Sequence, residues 1–168
     1  MKIGRITISD RATAGVYADR SGPEIERHLR GVFGANAEFV VVIIPDEVEE
    51  IAVKLRQLAD IEHCELIVTT GGTGISPRDV TPEATRMVLE KELPGFGEAM
   101  RTQSFATVRT AVLSRATAGI RGASLIVNLP GKPTAVAECL AVLADAIVEG
   151  VAHLRGEDPH GTPPPQRD

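Results

Sequence analysis

The strongest constraint on the fold is an alternation of short apolar runs with segments that carry helix-start signals. The clearest run, Glu38–Ile44 (EFVVVII), is short and rich in β-branched residues, which is typical of a strand buried on both faces. Proline is favoured in the first turn of a helix, and it occurs there at Pro23, Pro82 and Pro133. Strands that alternate with helices predict an α/β domain with a mostly parallel sheet, covered by helices on both faces.

The same patterns predict the order of the elements. Strands are expected at residues 2–9, 38–44, 65–70, 111–114 and 124–129. Helices are expected at about 21–33, from 46, from 81 until Pro94 interrupts it, at 96–105 and at about 133–154. Residues 10–20 are expected to form a polar loop. Three helices are expected to be capped by Ser21, Asp46 and Thr81.

Length and composition fit one globular domain. The chain has 168 residues, of which 43% are hydrophobic and 24% are charged, so a core can form without disulfide or metal. We predict a single domain over residues 1–154. Residues 155–168 are rich in proline and poor in apolar side chains, so we expect a flexible tail there.

Charge and composition restrict the partners. The 18 Lys and Arg against 23 Asp and Glu give a net charge of −5, and only 3% of residues are aromatic, which disfavours nucleic acid. A local pocket of backbone N–H groups can still bind a small anion. The longest apolar run, Phe39–Ile44, is too short to span a bilayer, and the first residues lack a secretory signal. With Cys64 and Cys139 as the two cysteines, we predict a cytoplasmic protein.

The segment most informative about function is TTGGTGISPRDVTP, residues 69–82. It follows a predicted central strand, and open α/β sheets bind ligands at the carboxyl ends of their strands. Its three glycines let the backbone approach an anion closely. It lacks the Gly-Lys-Ser/Thr of a P-loop, and Pro77 stands where a dinucleotide fingerprint has its third glycine. A tight strand-to-helix turn without a ligand explains the glycines equally well at this point.

Two acids strengthen the functional interpretation. Asp46 follows the second predicted strand and Asp79 follows the third, so both are expected at one edge of the sheet. Paired carboxylates beside a phosphate-binding loop suit Mg²⁺, which takes oxygen ligands and shares them with substrate phosphates. Each acid also has an ordinary explanation, because Asp46 can cap a helix and Asp79 can form an Asx-turn.

Further polar residues are expected at the same edge. Ser9–Asp10 follows the first strand, and residues 128–133 (NLPGKP) follow the last. Lys132 at a helix start opposes the helix dipole, which is easier to understand if an anion binds there. Arg78, Arg115 and Arg121 can supply bidentate phosphate contacts, or they can be solvated surface residues.

Several longer motifs occur in one order along the chain. They are Ser9–Asp10 with Ala14–Gly15 and Asp19–Pro23, then Pro45–Glu47, TTGGTGISPRDVTPEAT (69–85), PGFGEAMR (94–101), LSRATAGIRG (113–122) and NLPGKP (128–133). By these motifs, residues 1–154 resemble the Mog-type molybdopterin adenylyltransferases and the G domains of animal gephyrin and its plant counterpart. PGFGE and LSRATAGIRG favour the Mog branch over the related MoaB branch, which shares GGTG and RDVTP.

The resemblance implies a three-layer α/β/α fold (the molybdopterin-binding-domain fold), usually assembled as a homotrimer. It implies transfer of AMP from Mg·ATP to the terminal phosphate of molybdopterin, release of pyrophosphate, and hand-over of the product to a molybdenum-inserting enzyme. Asp46 and Asp79 match the family's catalytic and Mg²⁺-binding acids. The matching phosphate- or nucleotide-binding residues are Gly71, Gly72, Thr73, Gly74, Asn128, Pro130 and Gly131. The residues expected to bind substrate are Ser9, Asp10, Arg78, Ser114, Arg115 and Lys132.

Two other functions stay open beside this one. A non-catalytic molybdopterin-binding module, MoaB-like or scaffolding, would bind the pterin without reaction. A nucleotide hydrolase would turn over ATP without molybdopterin. The intact acid pair and the GGTG loop favour the adenylyltransferase.

Overall fold

The computed structural model describes residues 1–157 and places their strands in one six-stranded sheet. The strands are β1 (Lys2–Ile8), β2 (Glu38–Ile44), β3 (Leu66–Thr70), β4 (Lys91–Glu92), β5 (Ala118–Arg121) and β6 (Ser124–Leu129). Their order across the sheet is β2-β1-β3-β6-β5-β4. The first four of these run parallel, whereas β5 and β4 are each antiparallel to their neighbours. The predicted mostly parallel sheet is therefore confirmed.

Helices cover both faces of the sheet. They are α1 (Asp10–Thr13), α2 (Ser21–Phe33), α3 (Val48–Arg56), α4 (Thr81–Arg86), α5 (Pro94–Phe105) and α6 (Pro133–Leu154), with a π-helical turn at Gln57–Ile61 and a 3₁₀ helix at Arg109–Leu113. Side chains alternate between the faces of each strand. On β3, Leu66 and Val68 pack into a core with α2, α5 and α6, whereas Ile67 packs into a second core with α3 and α4. The three-layer α/β/α fold is thus confirmed.

The prediction that Glu38–Ile44 is buried on both faces is wrong. The segment does form β2, but β2 is an edge strand. Val41 is 51% exposed and Ile43 is 43% exposed. A β-branched run alone therefore did not distinguish an edge strand from a central one.

The antiparallel end of the sheet also differs from the prediction. The expected strand at 111–114 lies in the 3₁₀ helix and its C-cap, where Ser114 N–H donates to Ala111 O. The strands β4 and β5 were not predicted. β5 contains Gly119, at which a Cβ would lie 2.4 Å from the carbonyl oxygen of Lys91 on β4. The glycine is needed for this close pairing. Because glycine is uncommon inside strands, the sequence indicated a loop here.

Three predicted caps are replaced by other contacts. Ser21 is the first residue of α2, and Asp19 accepts the hydrogen bond from Gly22 N–H at 2.9 Å. Asp46 does not cap α3, whose N-cap is Glu47. Thr81 is helical, and its hydroxyl donates to Gly71 O at 2.9 Å.

Two further boundaries change. The predicted loop 10–20 begins with the short helix α1, which Ser9 caps by accepting from Ala12 N–H at 3.2 Å. The helix that starts at Thr81 ends at Arg86, and Pro94 opens α5 instead of interrupting α4.

At the carboxyl end, α6 stops at Leu154, and Arg155 donates to a carboxylate oxygen of Glu65 at 2.6 Å. Residues 158–168 of the predicted tail lie outside the described residues, so the division into domain and tail stays a prediction. Within residues 1–157, every helix is too short or too polar to cross a membrane.

Candidate active site

The candidate site lies at the carboxyl ends of β1, β2, β3 and β6. Parallel strands bring the loops that follow them to this one edge. The loops after β3 and β6 are joined directly, because the Thr70 hydroxyl donates to Pro130 O at 2.7 Å and Gly71 N–H donates to Leu129 O at 3.3 Å. At Gly131, a Cβ would lie 3.4 Å from the Gly71 Cα. The predicted nucleotide-binding segments therefore meet.

The first two glycines of the GGTG loop are required by their backbone conformation and by crowding. Gly71 has φ +98° and Gly72 has φ +61°, both in the left-handed region. A Cβ on Gly71 would lie 2.2 Å from Ile8 O, and one on Gly72 would lie 2.8 Å from Asp46 Oδ1. Gly74 lies against Asp79, with 2.9 Å from its would-be Cβ to Asp79 Oδ2. The loop thus passes directly beside both predicted acids.

The same loop carries unpaired donors. No residue in the range 1–157 accepts a hydrogen bond from the N–H groups of Gly72, Thr73, Gly74 or Ile75. Successive free N–H groups form a concave site for an anion. A ligand-free turn accounts for the glycines but gives these four N–H groups no acceptor among residues 1–157. A phosphate at the loop would supply acceptors for them.

Asp10 and Asp46 fasten the loops after β1 and β2 to each other. Asp10 N–H donates to Asp46 Oδ2 at 2.9 Å, and Asp46 N–H donates to Asp10 Oδ1 at 3.1 Å. Arg78 covers the outer side of this pair through two 3.0 Å hydrogen bonds to the Asp10 carboxylate and one of 2.8 Å to Glu47. The predicted substrate ligands Asp10 and Arg78 are therefore bonded to each other.

The two linked acids have opposite electrostatic environments. Hydrogen bonds from Arg78 and from the Asp46 backbone lower the pKa of Asp10. Burial raises the pKa of Asp46, and the negative charges of Asp10 and Asp79 raise it further. A cation beside Asp46 would offset both effects.

The oxygens available for a metal ion belong to Asp46 and Asp79. Asp79 Oδ2 accepts from Ser76 N–H at 2.8 Å, while Oδ1 of each acid has no donor among residues 1–157. Within that range no group of three or more His, Cys, Asp or Glu side chains could hold a metal ion. Two free carboxylate oxygens fit Mg²⁺ bound together with substrate phosphates, the usual arrangement for this ion.

Arg115 was expected to bind substrate. It lies next to the GGTG loop, and its N–H groups donate to backbone carbonyls. They reach the carbonyl oxygens of Thr73, Gly74 and Asp79, and the guanidinium also pairs with Glu83 on α4. Ser114 precedes it and accepts from Arg101 through its carbonyl at 3.3 Å. Arg121, which was considered for phosphate, lies far from this edge and pairs with Asp60.

The remaining predicted residues differ in accessibility. Asn128 is 0% exposed and donates to the hydroxyls of Thr69 and Thr85 at 3.0 Å each, so its side chain braces β3, β6 and α4 from inside. Its predicted contact with the nucleotide is not supported by this burial. Lys132 is exposed at the start of α6.

Sequence reasoning missed Tyr17. It is the single tyrosine of the chain, it is 44% exposed, and its hydroxyl lies 2.9 Å from Ser9 Oγ. The ring also stacks with Arg11, whose guanidinium carbon is 5.1 Å from the ring centroid. An aromatic residue in a polar loop directly after Ser9–Asp10 was the available signal.

Fold and site together define an open α/β protein in which a row of unpaired backbone N–H groups and two carboxylates lie at the carboxyl ends of parallel strands, an arrangement suited to a small anion. The comparisons with known proteins narrow this class. The chain belongs to the family described as "Probable molybdopterin binding domain", whose model matches residues 4–149.

Individual relatives agree with this family. A molybdopterin adenylyltransferase of Helicobacter pylori (strain J99) is 50% identical over 86% of this chain and 82% of the relative. One of Escherichia coli (strain K12) is 45% identical over 91% of this chain and 78% of the relative. The solved structure of the molybdopterin biosynthesis enzyme MoaB from Thermus thermophilus superposes with a TM-score of 0.85 at 38% identity, covering 93% of this chain and 97% of that one. The sequence resemblance to this family is therefore confirmed.

Proposed function

We propose that this protein is a molybdopterin adenylyltransferase of molybdenum cofactor biosynthesis. It transfers AMP from Mg·ATP to the terminal phosphate of molybdopterin, giving adenylyl-molybdopterin and pyrophosphate. The observation that carries the proposal is the row of free N–H groups at 72–75, flanked by the free oxygens of Asp46 and Asp79. The identity of the substrate is inferred from relatives with that enzyme name at 45–50% identity.

The GGTG loop is the proposed phosphate site. Its N–H groups bind nucleotide phosphate oxygens, and the fixed loop presents these donors without reorganisation. Pro130 and Gly131 line the loop through their contacts with Thr70 and Gly71. The loop thus orients the α-phosphate for attack.

Asp46 and Asp79 would hold Mg²⁺, which neutralises phosphate charge and orients the phosphate groups when it is bound. The acids' own role is to supply one free oxygen each while the Asp10 and Ser76 backbone N–H groups fix their other oxygens. Rigid placement of both carboxylates beside the N–H row gives the site complementary charges at defined positions.

No protein nucleophile takes part in the proposed transfer. An oxygen of the molybdopterin phosphate attacks the α-phosphorus of ATP, the bond to the bridging oxygen breaks, and pyrophosphate leaves. Burial raises the pKa of Cys64 and of Cys139 to about 11, so these thiols are poor nucleophiles near neutrality. Ser9, Asp10, Arg78, Ser114 and Lys132 are the residues proposed to surround the substrates, whereas Arg115 binds the carbonyls of the GGTG loop.

The proposal extends to the assembly and its setting. We propose a homotrimer in the cytoplasm that hands its product to a molybdenum-inserting enzyme. The exposed apolar residues of β2, Val41 and Ile43, support burial of surface between subunits. Sedimentation at several concentrations tests this, and a monomer throughout the range would contradict it.

One experiment separates the three candidate functions. The protein is incubated with labelled ATP, Mg²⁺ and purified molybdopterin, and the products are separated. Adenylyl-molybdopterin with equimolar pyrophosphate is the expected result. Pterin binding without product would support the MoaB-like or scaffolding module, and phosphate release without pterin would support a hydrolase.

A further inference from the structure

Arg115 binds three backbone carbonyls in and next to the phosphate loop and also pairs with a neighbouring helix. Its backbone N–H donates to Thr73 O at 2.8 Å, and two donors of its guanidinium reach Gly74 O at 2.6 Å and Asp79 O at 2.5 Å. The other side of the guanidinium pairs with Glu83 in α4. One side chain therefore joins both ends of the segment from Gly74 to Asp79 and anchors them to a helix.

The contacts also determine where the loop amides point. In a trans peptide the carbonyl and the N–H point in opposite directions, and residues 1–157 contain no cis peptide. The Thr73 carbonyl shares a peptide with the Gly74 N–H, and the Gly74 carbonyl shares one with the Ile75 N–H. Because Arg115 binds these two carbonyls, the two N–H groups are directed away from Arg115. These are two of the four N–H groups at residues 72–75 that have no acceptor among residues 1–157.

We propose that Arg115 is a positioning residue that shapes the phosphate loop before any ligand binds. It draws the carbonyls of Thr73 and Gly74 to one side, so the amides of Gly74 and Ile75 face the nucleotide phosphate. Through the Asp79 carbonyl it also fixes the backbone that carries the metal-binding carboxylate. The inference rests on the proposed function for the identity of the ligand, but the shape of the loop is measurable without it.

The first test compares R115K with R121K. Lysine keeps the charge but has no planar fork to bind two carbonyls. In ligand-free R115K we expect the backbone amide resonance of Ile75 to shift, because the guanidinium contact with Gly74 O is lost, whereas the Arg115 N–H bond to Thr73 O is kept. Calorimetry is expected to show Mg·ATP affinity reduced about 10- to 100-fold, the range for lost hydrogen bonds to a charged group. The KM for Mg·ATP should rise more than the KM for molybdopterin. R121K, altered at an arginine paired with Asp60 on the opposite edge, should change neither resonances nor affinity.

The second test uses E83Q, because a positioning Arg115 and a phosphate-binding Arg115 predict opposite changes in Mg·ATP affinity. A positioning Arg115 loses its anchor, so Mg·ATP binds more weakly, by about 2- to 5-fold for an exposed pair. An Arg115 that binds phosphate directly is released from a competing carboxylate, so Mg·ATP binds as well or better. E83Q decides the question if R115K does not fold.

Two results would overturn the inference. One is weaker Mg·ATP binding in R115K with unshifted loop amides in the ligand-free protein, which would mean direct contact with phosphate. The other is unchanged or tighter binding in E83Q. Failure of the proposed function is a separate result, namely no adenylyl-molybdopterin from the wild-type protein, whereas the amide resonances and Mg·ATP calorimetry need no transfer reaction.

Discussion

At the amino edge of the sheet, three ion pairs join charged side chains to each other. They are Lys2–Glu62 at 2.7 Å, Asp60–Arg121 at 2.5 Å and Glu65–Arg155 at 2.6 Å. A pocket of about 360 Å³ lies there, and it is lined partly by Asp60, Arg121 and Glu65. At the carboxyl edge the charges are paired only in part. There the loop amides at 72–75 and one oxygen each of Asp46 and Asp79 are free within residues 1–157.

Unpaired polar groups, not cavity size, therefore distinguish the candidate site from the amino edge. The amino edge has space, but its charged groups neutralise each other, so a charged ligand would have to break an existing pair. The carboxyl edge has fixed donors and carboxylates that a ligand can satisfy without such a loss. Variants at the two edges should therefore affect different properties.

The largest expected difference comes from Asp79→Asn. The amide keeps an oxygen that can accept from Ser76 N–H, so the fold should persist. The charge for Mg²⁺ is lost, and we expect adenylyl transfer to fall about 10²- to 10³-fold. Steady-state assays at saturating Mg·ATP and molybdopterin measure this. The matched change at the other edge, Asp60→Asn, should leave transfer unchanged, and near-normal turnover of Asp79→Asn would remove the functional distinction between the edges.

Asp46 is expected to make both transfer and stability depend on pH. Its pKa is raised, so it protonates at a pH above the ordinary aspartate value, and transfer should decline as pH falls through that raised pKa. A group whose pKa is higher in the folded than in the unfolded protein stabilises the fold below its unfolded-state pKa. This stabilisation is lost as pH rises through its folded-state pKa. Asp46→Asn should therefore match or exceed wild-type stability at pH 7, measured by urea unfolding, while transfer is largely lost. A marked loss of stability would make Asp46 a structural residue first.

The strands of the parallel half of the sheet were predicted from the sequence, whereas those of the antiparallel end were not. Strands β1, β2, β3 and β6 were predicted because short runs rich in β-branched residues lead directly into loops or helices. β4 and β5 were not, because β4 has two residues and β5 contains Gly119, so neither has a period to detect. The edge position of β2 depends on which strand lies beside it, and local composition does not encode this.

At the site, topology made the acids predictable, since strand carboxyl ends converge in any parallel sheet. The specific pairing was not predictable. The reciprocal bonds between Asp10 and Asp46 join residues 36 positions apart, and the contact of Arg115 with the Gly74 carbonyl spans 41. Such contacts depend on side-chain directions that only the assembled fold sets. Asn128, expected at the ligand, donates instead to Thr69 on β3 and Thr85 on α4, for the same reason.

A smaller effect is expected from alanine at a glycine of the carboxyl edge. In Gly72→Ala the new Cβ meets Thr81 Oγ1 at 2.4 Å, and φ is +61°. We expect the free energy of unfolding to fall by about 1–3 kcal/mol and transfer to fall with it. Gly31→Ala is the control, because it lies in α2 with no atom within 4 Å of the added Cβ. It should gain about 0.4–1 kcal/mol, and equal behaviour of the two variants in urea unfolding would contradict the strained loop.

The smallest effect is expected where the amino edge is disrupted. Hydrogen bonds from Arg121 lower the pKa of Asp60, so this pair stabilises the fold above the ordinary aspartate pKa, and the contribution is lost as pH falls through the lowered value. The Asp60 side chain is 45% exposed, and solvent screening limits the loss in Asp60→Asn to at most about 1 kcal/mol at pH 7. Urea unfolding at pH 7 and again below the lowered pKa should show the difference shrinking toward zero at acid pH. A larger loss, or a change in Mg·ATP affinity, would mean that the two edges are coupled through the strands, and the separation of structural from functional charge would then fail.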